Sequence, residues 1–314
     1  MKCTYLKKRF LFLVKLVISL SIFCFLLYRI FTDKEAFEEA LYSYQTNLSI
    51  ILAALLLMPF NYLMEVFKWQ LSIKSLTYLP FKQATAGVLS GVSLGFVTPH
   101  AVGDYFAKIW SFSHEDRKKA LGPILVARMS QMIPTLAFGA VAFIVFIQRK
   151  PVFDDYNSDY TSWLIPVAGL IAFLLLSFLF IKYGVKNKKW MYYFDLIRKL
   201  QLKSVAQLVA LSSVRYFIFS VQFMLLLSIF SFPISFQQQF LGIAFMFLAK
   251  SVLPTFNFFN DLGIREFSAV LYFETFDISA APVILASLLL WLINIALPAL
   301  IGLFFVPQFK IDPS

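Results

Sequence analysis

The chain has 314 residues, 60% of them hydrophobic and 18% aromatic, and a formal net charge of +11. Mean hydropathy is +0.77, and several apolar runs approach the ~20 residues that cross a bilayer. This excludes a soluble catalytic core and predicts an all-α, polytopic membrane helix bundle in a single integral domain, residues 1–314. In a soluble chain the basic excess would suggest nucleic acid. Here positive-inside bias accounts for it, and no nucleic-acid partner is expected. Cys3 and Cys24 are too few for a disulfide framework.

The first predicted span covers residues 10–31, and Lys7, Lys8 and Arg9 ahead of it place the N-terminus in the cytoplasm. The start resembles a signal-peptide n-region but lacks a small-x-small cleavage site, so this helix is read as retained. Asp33, Glu35, Glu38 and Glu39 then mark an outside loop. A second span, 48–69, contains Pro59 and Asn61, and Lys68, Lys74 and Lys82 mark the cytoplasmic side after it. Glu65 stands three residues before Lys68 and is read as a local pair.

The next stretch opens with Gly87, Gly91 and Gly95, a spacing that lets another backbone approach closely in a membrane. It breaks at Thr98-Pro99, because the residue before proline is pushed out of helical geometry, and continues through Gly103 and Asp104. As a helix, 83–97 would be only ~22 Å long, short of the ~30 Å hydrocarbon core. Basic residues flank both sides. Residues 83–112 are therefore expected to form a re-entrant helical hairpin, with an ordinary cytoplasmic loop as the plainer alternative.

A third span, 121–147, carries Arg128 and Pro134, and a fourth covers 162–183. The connector 186–203 is densely basic, with Trp190, Tyr192, Tyr193 and Phe194 interleaved, and reads as an interfacial helix on anionic lipid. A fifth span, 204–230, carries Arg215. Residues 240–276 form a second candidate hairpin, entered from the opposite face, with tip residues Pro254, Thr255 and Gly263 and the charges Lys250, Asp261, Arg265 and Glu266. A sixth span, 281–306, returns to the cytoplasm at Lys310. If both hairpins spanned instead, there would be ten crossing helices. Paired interrupted segments in two halves point to a transporter site at an inverted-repeat interface.

The pattern Thr98-Pro99-x-x-x-Gly103-Asp104, the Ala127-Arg128 pair, and Leu262-Gly263-Ile264-Arg265-Glu266 resemble the membrane region of lysylphosphatidylglycerol synthases, over about residues 10–306. The chain departs from the family pattern at His100 and Asp104, and at Phe259-Asn260-Asp261. The resemblance implies a region that moves a modified lipid between leaflets, with any aminoacyl transfer located in a separate soluble domain. The chain stops at Ser314, shortly past the sixth span, and is therefore expected not to be a synthase.

Arg128, Arg215, Lys250 and Arg265 lie at membrane depth, where each charge costs at least ~2.5 kcal/mol on insertion scales. Arginine forks match phosphate oxygens, so these four are candidate lipid-phosphate ligands. Asp104, Asp261 and Glu266 are their candidate acidic partners. Asp104, Arg128, Arg215, Arg265 and Glu266 are expected to line one cavity. The plainer alternative is a set of structural ion pairs. The residue pattern contains no metal-ligand cluster, catalytic motif or cofactor motif, so no metal or cofactor is expected.

The expected function is flippase-like binding or translocation of an anionic or modified lipid, either a phospholipid or a lipid-linked sugar. The alternatives are a membrane enzyme or enzyme subunit acting on a lipid headgroup, with Asp104 or Glu266 as base, and an accessory protein without transport activity. Compatible protein partners are a second copy of the chain or a separate lipid-modifying enzyme. The expected location is the bacterial inner (plasma) membrane, with both termini cytoplasmic.

Overall fold

A computed structural model of the chain describes residues 20–98, 101–110, 112, 114–149, 201–253 and 263–306. The expected fourth span, most of the basic connector, and Pro99, Pro254 and Asp261 lie outside the described residues. The described residues form helices and turns, with no strand. In chain order the helices are α1 (Leu20–Thr32), α2 (Lys34–Thr46), α3 (Leu48–Ile73), α4 (Phe81–Val97), α5 (Val102–Trp110), α6 (His114–Arg149), α7 (Leu202–Leu227), α8 (Phe236–Val252) and α9 (Ile264–Phe273). The last is α10 (Ala280–Leu303). Four helices are long and apolar enough to cross a membrane: α3, the Lys119–Gln148 portion of α6, α7 and α10. The protein is an all-α membrane helix bundle.

The acidic stretch expected as an outside loop is instead the helix α2. Its charged residues face outward, but Phe37, Ala40 and Tyr44 recur at helical spacing and are buried. That stripe packs on α10. The Tyr44 hydroxyl donates to the carbonyls of Leu226 (3.3 Å) and Pro282 (3.4 Å), joining α2 to the end of α7 and the start of α10. Burial pushes the Tyr44 phenol above its usual pKa.

Two apolar clusters divide the bundle. One contains Tyr62, Val66, Trp69 and Ile73 of α3, together with Ala84 and Val88 of α4, and Phe112, Ala120 and Ile124. The other contains Ala54 of α3 with Phe223 and Leu227 of α7, and much of α8, α9 and α10. Each cluster is built around one helical hairpin.

In the first hairpin, α4 folds back on α5. The glycine stripe faces α5: a Cβ at Gly87 would meet Lys108, and one at Gly91 or Gly95 would meet Asp104. At the turn, Thr98 is extended, as its place before a proline requires. Its hydroxyl donates to the Leu94 carbonyl (2.6 Å) and accepts from the Gly103 N–H (2.8 Å). Gly103 lies against that same Leu94 carbonyl, where a Cβ would clash with backbone. In the second hairpin, α8 packs on α9. Gly263 opens α9 at φ 112°, a conformation only glycine adopts without strain.

Helix α10 carries a π-helical turn at Leu292–Ala296. Pro298 has no N–H to offer and its ring crowds the carbonyl four residues back. That carbonyl, on Asn294, accepts the Tyr62 hydroxyl at 2.7 Å instead. The Asn294 side chain donates to Gln222 (3.1 Å), and Gln222 donates to the Ala54 carbonyl (2.9 Å), so α10 is tied to α7 and α3.

Candidate functional site

Beside the first cluster, whose Tyr62, Trp69, Val88 and Ile124 line it, the bundle holds a cavity of about 590 Å³. Helix α3 contributes Glu65 and Lys68, one turn apart, and α5 contributes Asp104 and Lys108, also one turn apart. Arg128 comes from α6, Arg215 from α7 and Lys250 from α8. Among the described lining residues, five are cationic and two are acidic. Val92, Phe96, Phe219 and Trp291 complete an apolar wall.

The charges form one connected network. Glu65 accepts from Lys108 (2.9 Å) and Lys68 (3.3 Å), and also pairs with Arg215. Asp104 pairs with Lys108 (3.1 Å) and Arg128 (2.7 Å). Arg215 also donates to Asn61 (2.6 Å), and Lys68 donates to Gln131 (2.8 Å). Side-chain exposure is 3% at Lys68, 8% at Lys108 and 43% at Arg128, so the network runs from a buried floor to an open mouth. The Arg128 guanidinium also stacks over Tyr105, 4.7 Å from the ring centre, a geometry that stabilises a cation.

The site lies deep in the bundle. Glu65 is about 12 Å along α3 from Ile73, Arg128 is about 14 Å along α6 from Lys119, and Arg215 is about 20 Å along α7 from Leu202. Each distance is a substantial fraction of a ~30 Å hydrocarbon core.

The structure places Asp104, Arg128, Arg215 and Lys250 on this cavity. Arg265 and Glu266 do not line it; they are buried in the second hairpin against α10. Arg265 donates to the Ser287 carbonyl (2.7 Å) and hydroxyl (3.2 Å). Glu266 accepts from the Ser287 hydroxyl (2.7 Å) and from the Gly263 N–H (2.5 Å), capping α9. These two adjacent charges lock the hairpin to α10 through Ser287.

Thr98 and Gly103 sit at the first hairpin's turn and Gly263 at the start of α9. Sequence spacing exposed the Glu65–Lys68 pair but not the role of Glu65 as the hub of three cations. It also missed Lys108, which as the last charge before a basic loop reads as a cytoplasmic flank. The available signal was its i, i+4 spacing from Asp104 on a short helix. Among the described residues, no group of three His, Cys, Asp or Glu could hold a metal ion.

A family model described as the lysylphosphatidylglycerol synthase TM region matches residues 12–302. No curated protein matches the chain.

Proposed function

This chain belongs to the lysylphosphatidylglycerol synthase TM region family, and on that premise we propose that its charged cavity binds the headgroup of an anionic membrane lipid and passes it between leaflets. The observation that carries this reading is the charge balance at depth: five cationic and two acidic side chains line one cavity among the described residues. Intramembrane charges are retained where they pair or where they serve a substrate path. Among the described residues, two carboxylates are shared by Lys68, Lys108, Arg128 and Arg215, which leaves net positive charge on the cavity wall. The volume of about 590 Å³ suits a headgroup, and the apolar wall of Phe96, Phe219 and Trp291 suits the glycerol and upper acyl segments that follow it.

The two hairpins support a route. As helices, α4 and α9 would be about 26 Å and 15 Å long, short of the hydrocarbon core. In our reading each enters and leaves the membrane on its own face, the first from the cytoplasm and the second from outside. The first hairpin lines the cavity with Asp104 and Lys108 and the second reaches it with Lys250, so rocking one hairpin against the other opens it to either leaflet.

Reconstitution into vesicles with fluorescent phosphatidylglycerol and phosphatidylcholine analogues tests the reading. The anionic analogue should exchange between leaflets above the rate of empty vesicles. Arg215→Gln removes a charge-assisted contact, so it should weaken lipid binding roughly 10- to 100-fold. Exchange no faster than in empty vesicles would end the transport reading. A new lipid species detected by mass spectrometry would promote the enzyme reading in its place.

A further inference from the structure

Resting on the lipid-binding reading, we infer that the cavity takes a phosphomonoester headgroup, a dianion, in preference to the singly charged phosphodiester of an ordinary glycerophospholipid. Among the described residues, the charged groups facing the cavity are Glu65 and Lys68 from α3, Asp104 and Lys108 from α5, Arg128 from α6, Arg215 from α7 and Lys250 from α8. Even with Lys250 set aside, four cations (Lys68, Lys108, Arg128 and Arg215) face two carboxylates among the described residues, a surplus of two positive charges.

The carboxylates are already shared. Glu65 answers Lys68, Lys108 and Arg215, and Asp104 answers Lys108 and Arg128. In a low-dielectric interior an uncompensated ion carries a penalty of several kcal/mol, so the ligand that neutralises the site best brings two charges. A phosphomonoester carries about −1.5 to −2 at pH 7 and presents three strong acceptor oxygens. A phosphodiester brings a single charge and cannot close the deficit. Arg128, with its side chain 43% exposed at the mouth, is placed to turn its fork onto such a group. Val92, Phe96 and Trp291 beside the cations argue that the phosphate arrives on a lipid rather than as a free ion.

The full chain in detergent can be titrated with dioleoyl phosphatidate, dioleoyl phosphatidylglycerol and inorganic phosphate, with bound lipid read by native mass spectrometry. Phosphatidate should bind roughly tenfold or more tightly than phosphatidylglycerol, the gain of one further charge-assisted contact. Arg128→Gln cuts the surplus to one and should bring the two lipids close to parity. Helical circular dichroism and an unchanged elution volume in detergent report that the variant is folded, and the wild-type ratio decides the question if it is not. Equal wild-type affinities, or an unchanged ratio in Arg128→Gln, overturn this inference and leave the lipid-binding reading standing. Inorganic phosphate competing at concentrations equal to phosphatidate would make the ligand a soluble anion. Binding of neither lipid would remove both readings together.

Discussion

At Glu65 a single carboxylate answers three cations from three helices, Lys68, Lys108 and Arg215. Glu65→Gln strands those cations, and breaking a buried pair costs roughly 3–5 kcal/mol. The variant should therefore unfold at a markedly lower temperature than wild type. It should also be rescued more strongly by an anionic lipid, which replaces the lost charge. Thermal unfolding in detergent with and without phosphatidate checks both effects; an unaltered melting temperature would show that Glu65 is not the hub. Arg265 behaves differently because its partners are Ser287 and not the cavity. Arg265→Gln should lower stability while the folded fraction keeps wild-type lipid affinity, and a selective loss of affinity would return Arg265 to the binding site. Arg265 was visible in the chain as an intramembrane charge and Glu65 as a local partner of Lys68. Their different roles were not, since burial cost alone does not say which neighbour offsets it.

The first hairpin shows how far local chemistry specifies an element. The glycine stripe, Thr98 before a proline, and Gly103 mark a small-residue helix, a break and a close return, and α4 and α5 adopt that arrangement. Asp104 and Lys108 reach the cavity because Gly91 and Gly103 allow α5 to lie directly on α4. Gly103→Ala would drive a methyl into the Leu94 carbonyl, an overpacking that costs typically ~1–3 kcal/mol. It should lower the melting temperature and, by displacing Asp104, weaken lipid binding as well. A variant with wild-type stability would mean that the two helices do not pack this closely. Helix α2 was less legible because its acidic composition outweighed a stripe of only three buried residues, Phe37, Ala40 and Tyr44. Those residues gain their burial from α7 and α10, far along the chain.

For the whole molecule, the proposal that the two hairpins open to opposite faces predicts paired accessibilities. With Cys3 and Cys24 replaced, single cysteines at Ser75 and His114 should both resist an impermeant reagent added outside. Cysteines at Ser231 and Asp277 should both react. Labelling of only one member of a pair would mean that its hairpin spans the membrane. The chain alone determined that this is a membrane helix bundle, since only a run of sufficient apolar length satisfies its backbone within lipid. It also determined where the first hairpin breaks, since glycine and proline act on the backbone within a few residues. Tertiary structure decided which charges share the cavity. Helical spacing orders side chains within one element, as at Glu65 and Lys68, but carries no information on which faces of separate helices meet. Glu65, Lys108, Arg128 and Arg215 converge from four elements because α3, α5, α6 and α7 pack around one space. The same packing turns Arg265 and Glu266 onto Ser287 and out of that space.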